Sequence, residues 1–103
     1  MTYVRWKLIM NLSEALRRVR ATLSEPGNRS DALTAAVVYI DSVADPKPED
    51  VHKRWVSHMV KLGFRYGFDF SAKSDPRLLP FDQLSDVHKK RYDHMITIVK
   101  SNY

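Results

Sequence analysis

Over residues 2–23 the apolar positions Val4, Leu8, Leu12, Ala15, Leu16, Val19 and Leu23 recur at three- and four-residue spacing, which lines one face of an α-helix. Arg5, Glu14, Arg17, Arg18 and Arg20 fill much of the remainder, while Trp6, Ile9 and Met10 widen the apolar side near its start. The polar run SEPGNRS at 24–30 breaks the pattern with a Pro-Gly pair, and Ser30 or Asp31 is placed to cap a second helix reaching about Val43. Its stripe is Leu33, Ala36, Val37, Ile40 and Val43, with Tyr39 to one side.

DPKPED at 45–50 ends that helix, because a proline disfavours helical geometry in the residue before it. Pro48 suits the first turn of a third helix, and Glu49 and Asp50 complement its dipole. Val51, Trp55, His58, Met59 and Leu62 share one face, with His52, Val56 and Val60 beside it, and Gly63 stops the helix. A fourth helix runs from near Ser85 toward Lys100, with Leu84, Val87, His88, Tyr92, Met95, Ile98 and Val99 on its buried side.

Between the third and fourth helices, FRYGFDF puts Phe64, Tyr66, Phe68 and Phe70 at alternate positions, the period of a strand with one buried face. Gly67 permits a bend, Pro76 and Pro80 fix an extended return path, and Asp82 is placed to cap a short turn. The pattern predicts a mainly α fold of about four helices, with an aromatic, proline-containing loop or short β-hairpin between the third and fourth.

A length of 103 residues is one domain's worth, and 44% hydrophobic with 28% charged residues is an ordinary globular balance. The longest apolar run near the start is too short for a membrane span or a secretory signal, so a cytoplasmic protein without membrane association is expected. With no cysteine, disulfides, thiol nucleophiles and thiolate zinc sites are excluded. His52 and His58 are six residues apart, as are His88 and His94, so neither pair shares a helical face and no metal site is expected. Neither a Gly-x-Ser-x-Gly elbow nor a Gly-rich phosphate loop is present, and the expectation is a non-enzymatic protein without a cofactor. The net charge of +5 lies wholly in residues 51–103, which reads either as solvated helix faces or as the mark of an anionic partner. Nucleic acid is disfavoured as that partner, because Asp86 and Asp93 interrupt the Lys and Arg of the last helix.

The segment VHKRWVSHMVKLGFRYG…KSDPRLLPFDQLSDVHKKRYD resembles the ryanodine receptor repeat, or RyR domain, over roughly residues 49–97. His52 and Trp55 match the family's helix, Gly63, Phe64, Tyr66 and Gly67 its Gly-aromatic-x-Tyr-Gly turn, and Pro80, Asp82 and Leu84 its Pro-Tyr-Asp-x-Leu element. Pro76 keeps a further proline, while Ser74 and Asp75 replace the usual Thr-His and Phe81 replaces a tyrosine. The resemblance implies a compact domain in which a helical segment, residues 1–48, packs on a repeat spanning 49–103. It implies the small single-copy prokaryotic or phage type of the family, a binding or assembly module that is not itself a channel, and a nucleotide as one class of ligand.

Within that expectation, Trp55, Phe64, Tyr66 and Phe81 are candidates for an aromatic slot, with Arg65, Lys73 and Arg77 meeting phosphates. Each aromatic–base stack is worth about 1–3 kcal/mol. The alternative is that these rings, Trp55 and Tyr66 above all, are core that anchors the loop, leaving Lys73 and Arg77 as the stronger ligand candidates. Because the channel repeats come in pairs, a homodimer burying Trp6, Ile9 or the repeat's aromatics is a second functional expectation.

Overall fold

The computed structural model describes residues 2–68 and 73–101, with side chains from Leu12 onward. Four helices form: α1 (Thr2–Thr22), α2 (Ser30–Ser42), α3 (Pro48–Lys61) and α4 (Asp86–Lys100). Strands β1 (Arg65–Tyr66) and β2 (Ser74–Asp75) lie between α3 and α4, and 3₁₀ turns cover Gly27–Arg29 and Phe81–Gln83. No described helix is long and apolar enough to cross a membrane.

The helix ends reflect local chemistry, with two departures from the sequence reading. Pro48 occupies the first turn of α3 behind an extended Lys47, with Glu49 and Asp50 beside it. At the other end Gly63 takes a φ of 90°, its N–H donates to Val60 O at 3.0 Å, and Phe64 N–H reaches back to Met59 O at 3.0 Å. This closure is a Schellman motif, completed by Met59 and Phe64 both entering the core. Ser85 caps α4 by accepting from His88 N–H at 3.3 Å. Ser30 and Asp31, by contrast, do not cap α2: a 3₁₀ turn leads directly into it and Arg29 holds the cap position, its side chain making no capping bond to the helix end. Nor does Asp82 cap its turn, where Pro80 occupies that place.

A single apolar core joins all four helices through residues such as Ala15, Val19, Leu33, Ile40, Val51, Met59, Met95 and Val99. Along α3 the buried positions are Val51, His52, Trp55 and Met59, so His52 belongs to the core face, while Val60 points to solvent. On α4 the buried positions are Tyr92, Met95 and Val99, and Val87, one turn outside the packed region, is exposed.

The two strands pair in parallel, Arg65 opposite Ser74 and Tyr66 opposite Asp75, so the segment is a parallel ladder and not a hairpin. Gly67 makes the close approach possible, since a Cβ there would lie 2.7 Å from Ser74 Cβ. The alternation of aromatics does not bury one face. Phe64 is in the core, but Tyr66 and Phe68 are 47% and 83% exposed, because the chain leaves the end of α3 after Phe64 and no described element covers these two rings. Phe70 lies outside the described residues.

Candidate functional site

The loop between β2 and α4 is held from beneath by charge. The Asp75 carboxylate is fully buried; Oδ2 accepts from Arg29 Nε at 2.9 Å and Arg77 Nη2 at 2.6 Å, while Oδ1 accepts from Arg77 N and Nε, each at 2.9 Å. Arg77 also donates to Glu25 Oε1 at 2.6 Å, and Arg91 of α4 donates to Glu25 Oε2 at 3.1 Å. Arg29 donates further to Ser74 O at 2.8 Å and lies 4.5 Å over the Phe64 ring, as Arg77 lies 4.8 Å over Trp55. Buried charges persist only when paired and hydrogen-bonded, and here each carboxylate bridges two guanidinium groups. Burial raises the Asp75 pKa, but the bonds and charge of Arg77 and Arg29 outweigh it and hold the carboxyl below its ordinary value. The network ties the α1–α2 connection, β2, the loop and α4 into one unit.

A second tie comes from His52. Its Nε2 lies 2.6 Å from the Leu79 carbonyl, which can only accept, so Nε2 carries the proton and Nδ1 accepts from the Tyr92 hydroxyl at 2.6 Å. Burial pushes the Tyr92 phenol well above its usual range and keeps it a donor. Burial lowers the His52 pKa, the Leu79 carbonyl opposes this, and the Arg77 charge adds to the lowering. The imidazole is stacked 5.9 Å from Trp55 and meets Phe81 and Tyr92 edge-on.

Anchored at Asp75, Arg77 and Leu79, the loop stands off α3 and leaves a groove of about 760 Å³. Val56, Leu78, Leu79 and Phe81 form its apolar walls, His52 lies at its base, and Glu49, Lys53 and Asp82 supply polar groups. Lys89 of α4 approaches the Phe81 ring at 5.8 Å. An apolar slot with a few polar groups at its edge is suited to a flat, partly charged molecule.

The residues expected to form one ligand slot are distributed over three environments. Trp55 and Arg77 are buried and committed to the core and the ionic network. Arg65, Tyr66 and Lys73 lie on the exposed side of the ladder, where Lys73 donates to Leu62 O at 2.6 Å and lies 5.4 Å from the Phe64 ring. Phe81 alone of the six reaches the groove, joined there by the motif residues His52, Pro80 and Asp82. Gly63 and Gly67 shape the turn, Leu84 is in the core, and Pro76 is half-buried between Asp75 and Arg77. Trp6 and Ile9, expected at a dimer interface, have side chains outside the described residues.

Sequence reasoning did not find the groove residues Lys53, Val56 and Leu78, nor the structural roles of Glu25 and Arg29. Lys53 next to His52 was the available signal for the first group; Glu25 and Arg29 sit in a polar loop that carries no periodicity. Among the described residues no three His, Asp or Glu side chains are grouped to hold a metal ion. No family model matches the chain, and neither a curated protein nor a solved structure does.

Proposed function

We propose that the protein is a small RyR-like repeat that works without catalysis as a cytoplasmic binding module for a small anionic molecule, such as a nucleotide, taken up in the groove between α3 and the Leu78–Asp82 loop. One observation carries this reading: His52, Pro80 and Asp82, residues on which the resemblance rests, converge on that groove together with Phe81, although up to thirty residues separate them in sequence. In this reading a base lies against Phe81, Val56 and Leu78. The Asp82 carboxylate accepts from a base amino group or a ribose hydroxyl, and the Lys53 and Lys89 ammonium groups meet phosphate. The buried network lowers the entropic cost of binding by holding the loop in place beforehand.

The test is a thermal-shift screen against nucleotides and cyclic nucleotides at low and physiological salt, with Lys53→Ala and Phe81→Ala as site variants. Arg77→Ala is unsuited as a control because its loss would expose the network rather than a ligand contact. Free ligand at a hundred times its dissociation constant stabilises the native state by about 2.7 kcal/mol. A shift lost in both variants supports the reading; no shift with any nucleotide, or one that survives both substitutions, refutes it.

A second reading, homodimeric assembly, rests on the exposed Tyr66 and Phe68, whose rings meet edge-on at 5.5 Å on the outer side of the ladder. Large exposed aromatics are enriched at interfaces. Light scattering would give a dimer mass that Phe68→Ser reduces to a monomer; a monomer at all concentrations refutes this reading.

A further inference from the structure

On the other side of α3, a second groove of about 640 Å³ runs between α2 and α3. Along α2 the positions Asp31, Thr34, Ala35, Val38 and Ser42 keep the three- and four-residue spacing of one helical face, yet this face is not the one packed into the core. Val38 at its centre is 44% exposed. The facing row on α3 is Arg54, His58 and Lys61, at i, i+4 and i+7, about one residue per turn over roughly 10 Å. The Arg54 guanidinium lies 5.0 Å over the Tyr39 ring, which holds it above the groove, and Arg20 of α1 donates to Thr34 Oγ1 at 3.0 Å on the opposite rim. Among the described residues the lining sets Arg54 and Lys61 against a single acid, Asp31, and Arg20 of α1 is tied to the lining through Thr34.

We infer that this groove docks an amphipathic helix of a partner protein, one that carries a row of carboxylates along the edge of a short apolar stripe. Two helices side by side with a small-residue, partly apolar floor accept a third helix lying between them. Arg54 and Lys61 stand two turns apart on one rim with the His58 imidazole between them, matching carboxylates spread over the same two turns of an incoming helix, whereas a single small anion would engage only one turn. Among the described residues, the acids of α1 and α4 on a second copy of this chain do not form that row. Among the described residues Glu14 is bonded to Arg17 and Arg18, and Asp86 and Asp93 of α4 bracket Lys89 and Lys90. The site is separate from the loop-side groove, meeting it only at Ser57.

The probe is a fluorescein-labelled helical peptide of about 18 residues, roughly 27 Å long. It carries a Leu/Ala stripe flanked by Glu at i, i+4 and i+7, and it is compared with the same peptide bearing Lys in place of Glu. Fluorescence anisotropy should show saturable binding of the Glu peptide that weakens as salt rises and is at least tenfold weaker for Arg54→Glu/Lys61→Glu. That variant should in turn bind the Lys peptide at least tenfold better than the original chain does. Because both residues are exposed, an unchanged melting temperature is expected, and Val38→Asp supplies an independent variant that should also weaken the Glu peptide. Equal binding of both peptides, no binding of the Glu peptide, or indifference to the charge reversal would overturn the inference. So would binding of inorganic phosphate with the same dependence on Arg54 and Lys61 in the absence of peptide binding.

Discussion

Replacing Asp75 by Asn keeps the side chain's shape and removes the charge on which two buried arginines converge. In the native protein Asp75 and Arg29 are fully buried and Arg77 is nearly so, and four donors from the two arginines reach the carboxylate at 2.6–2.9 Å. The amide can accept at one oxygen only, and its NH₂ would face guanidinium donors. Arg77 retains Glu25 and Arg29 retains Ser74 O and Asn28 Oδ1, but each loses the carboxylate that the two share. Removing one partner of a buried ion pair typically destabilises by about 3–5 kcal/mol. A domain of this size is stable by about 5–15 kcal/mol and loses about 4–8 °C of melting temperature per kcal/mol, so Asp75→Asn should melt at least about 12 °C lower. Urea unfolding monitored by far-UV circular dichroism would give the free energy directly. Trp fluorescence would report whether the environment of Trp55, stacked under Arg77, loosens first. A variant within about 1 kcal/mol of the original chain, with an unchanged dependence on urea, would refute the view that this network fixes the loop.

Stability should also fall on the acid side. His52 and His88 both have pKa values lowered from an ordinary value of 6.5, by burial first. Their contribution is therefore complete above that pH and is lost as pH drops from there to the folded values. Asp75, also lowered, extends the loss below its ordinary 3.8. A melting temperature unchanged from pH 7.5 to pH 5 would contradict the assigned neutral His52. Met59→Ala, at a fully buried position, should cost about 2–5 kcal/mol in urea unfolding, and a loss under about 1 kcal/mol would place Met59 outside the core. Gly67→Ala should cost about 1–3 kcal/mol, because the new Cβ would collide with Ser74 Cβ, and hydrogen exchange should show faster opening of the amide at position 67, which donates to Asp75 O. An unchanged stability there would mean that the parallel ladder tolerates a wider strand spacing than Gly67 gives it.

The helices were legible because each is short, amphipathic and punctuated. The spacing of Leu33, Ala36, Val37 and Ile40, the Pro48 start and the Gly63 stop all act within a few residues, and α2 and α3 formed as the pattern required. The loop was less legible. Arg77 reads from sequence as an exposed loop cation, yet its partners are Glu25, fifty-two residues earlier, and Asp75, a neighbour whose own burial depends on Arg29, forty-six residues earlier. No local pattern encodes pairings over such distances. Phe64 and Tyr66 illustrate the same limit: an aromatic repeat cannot tell which ring passes beyond the end of the helix that would cover it. Of the groove's lining the sequence marked Phe81 as a ligand candidate and His52, Pro80 and Asp82 as motif residues, while Lys53, Val56 and Leu78, which complete it, carry no motif.

The proposed nucleotide groove is tested most directly by ¹⁵N–¹H shift mapping of the protein titrated with adenine nucleotides at low salt. The account predicts saturable shifts at Lys53, Val56, Leu79 and Phe81, absent in Phe81→Ala. Shifts confined to Arg65 and Lys73 on the ladder, or none at millimolar nucleotide, would contradict it.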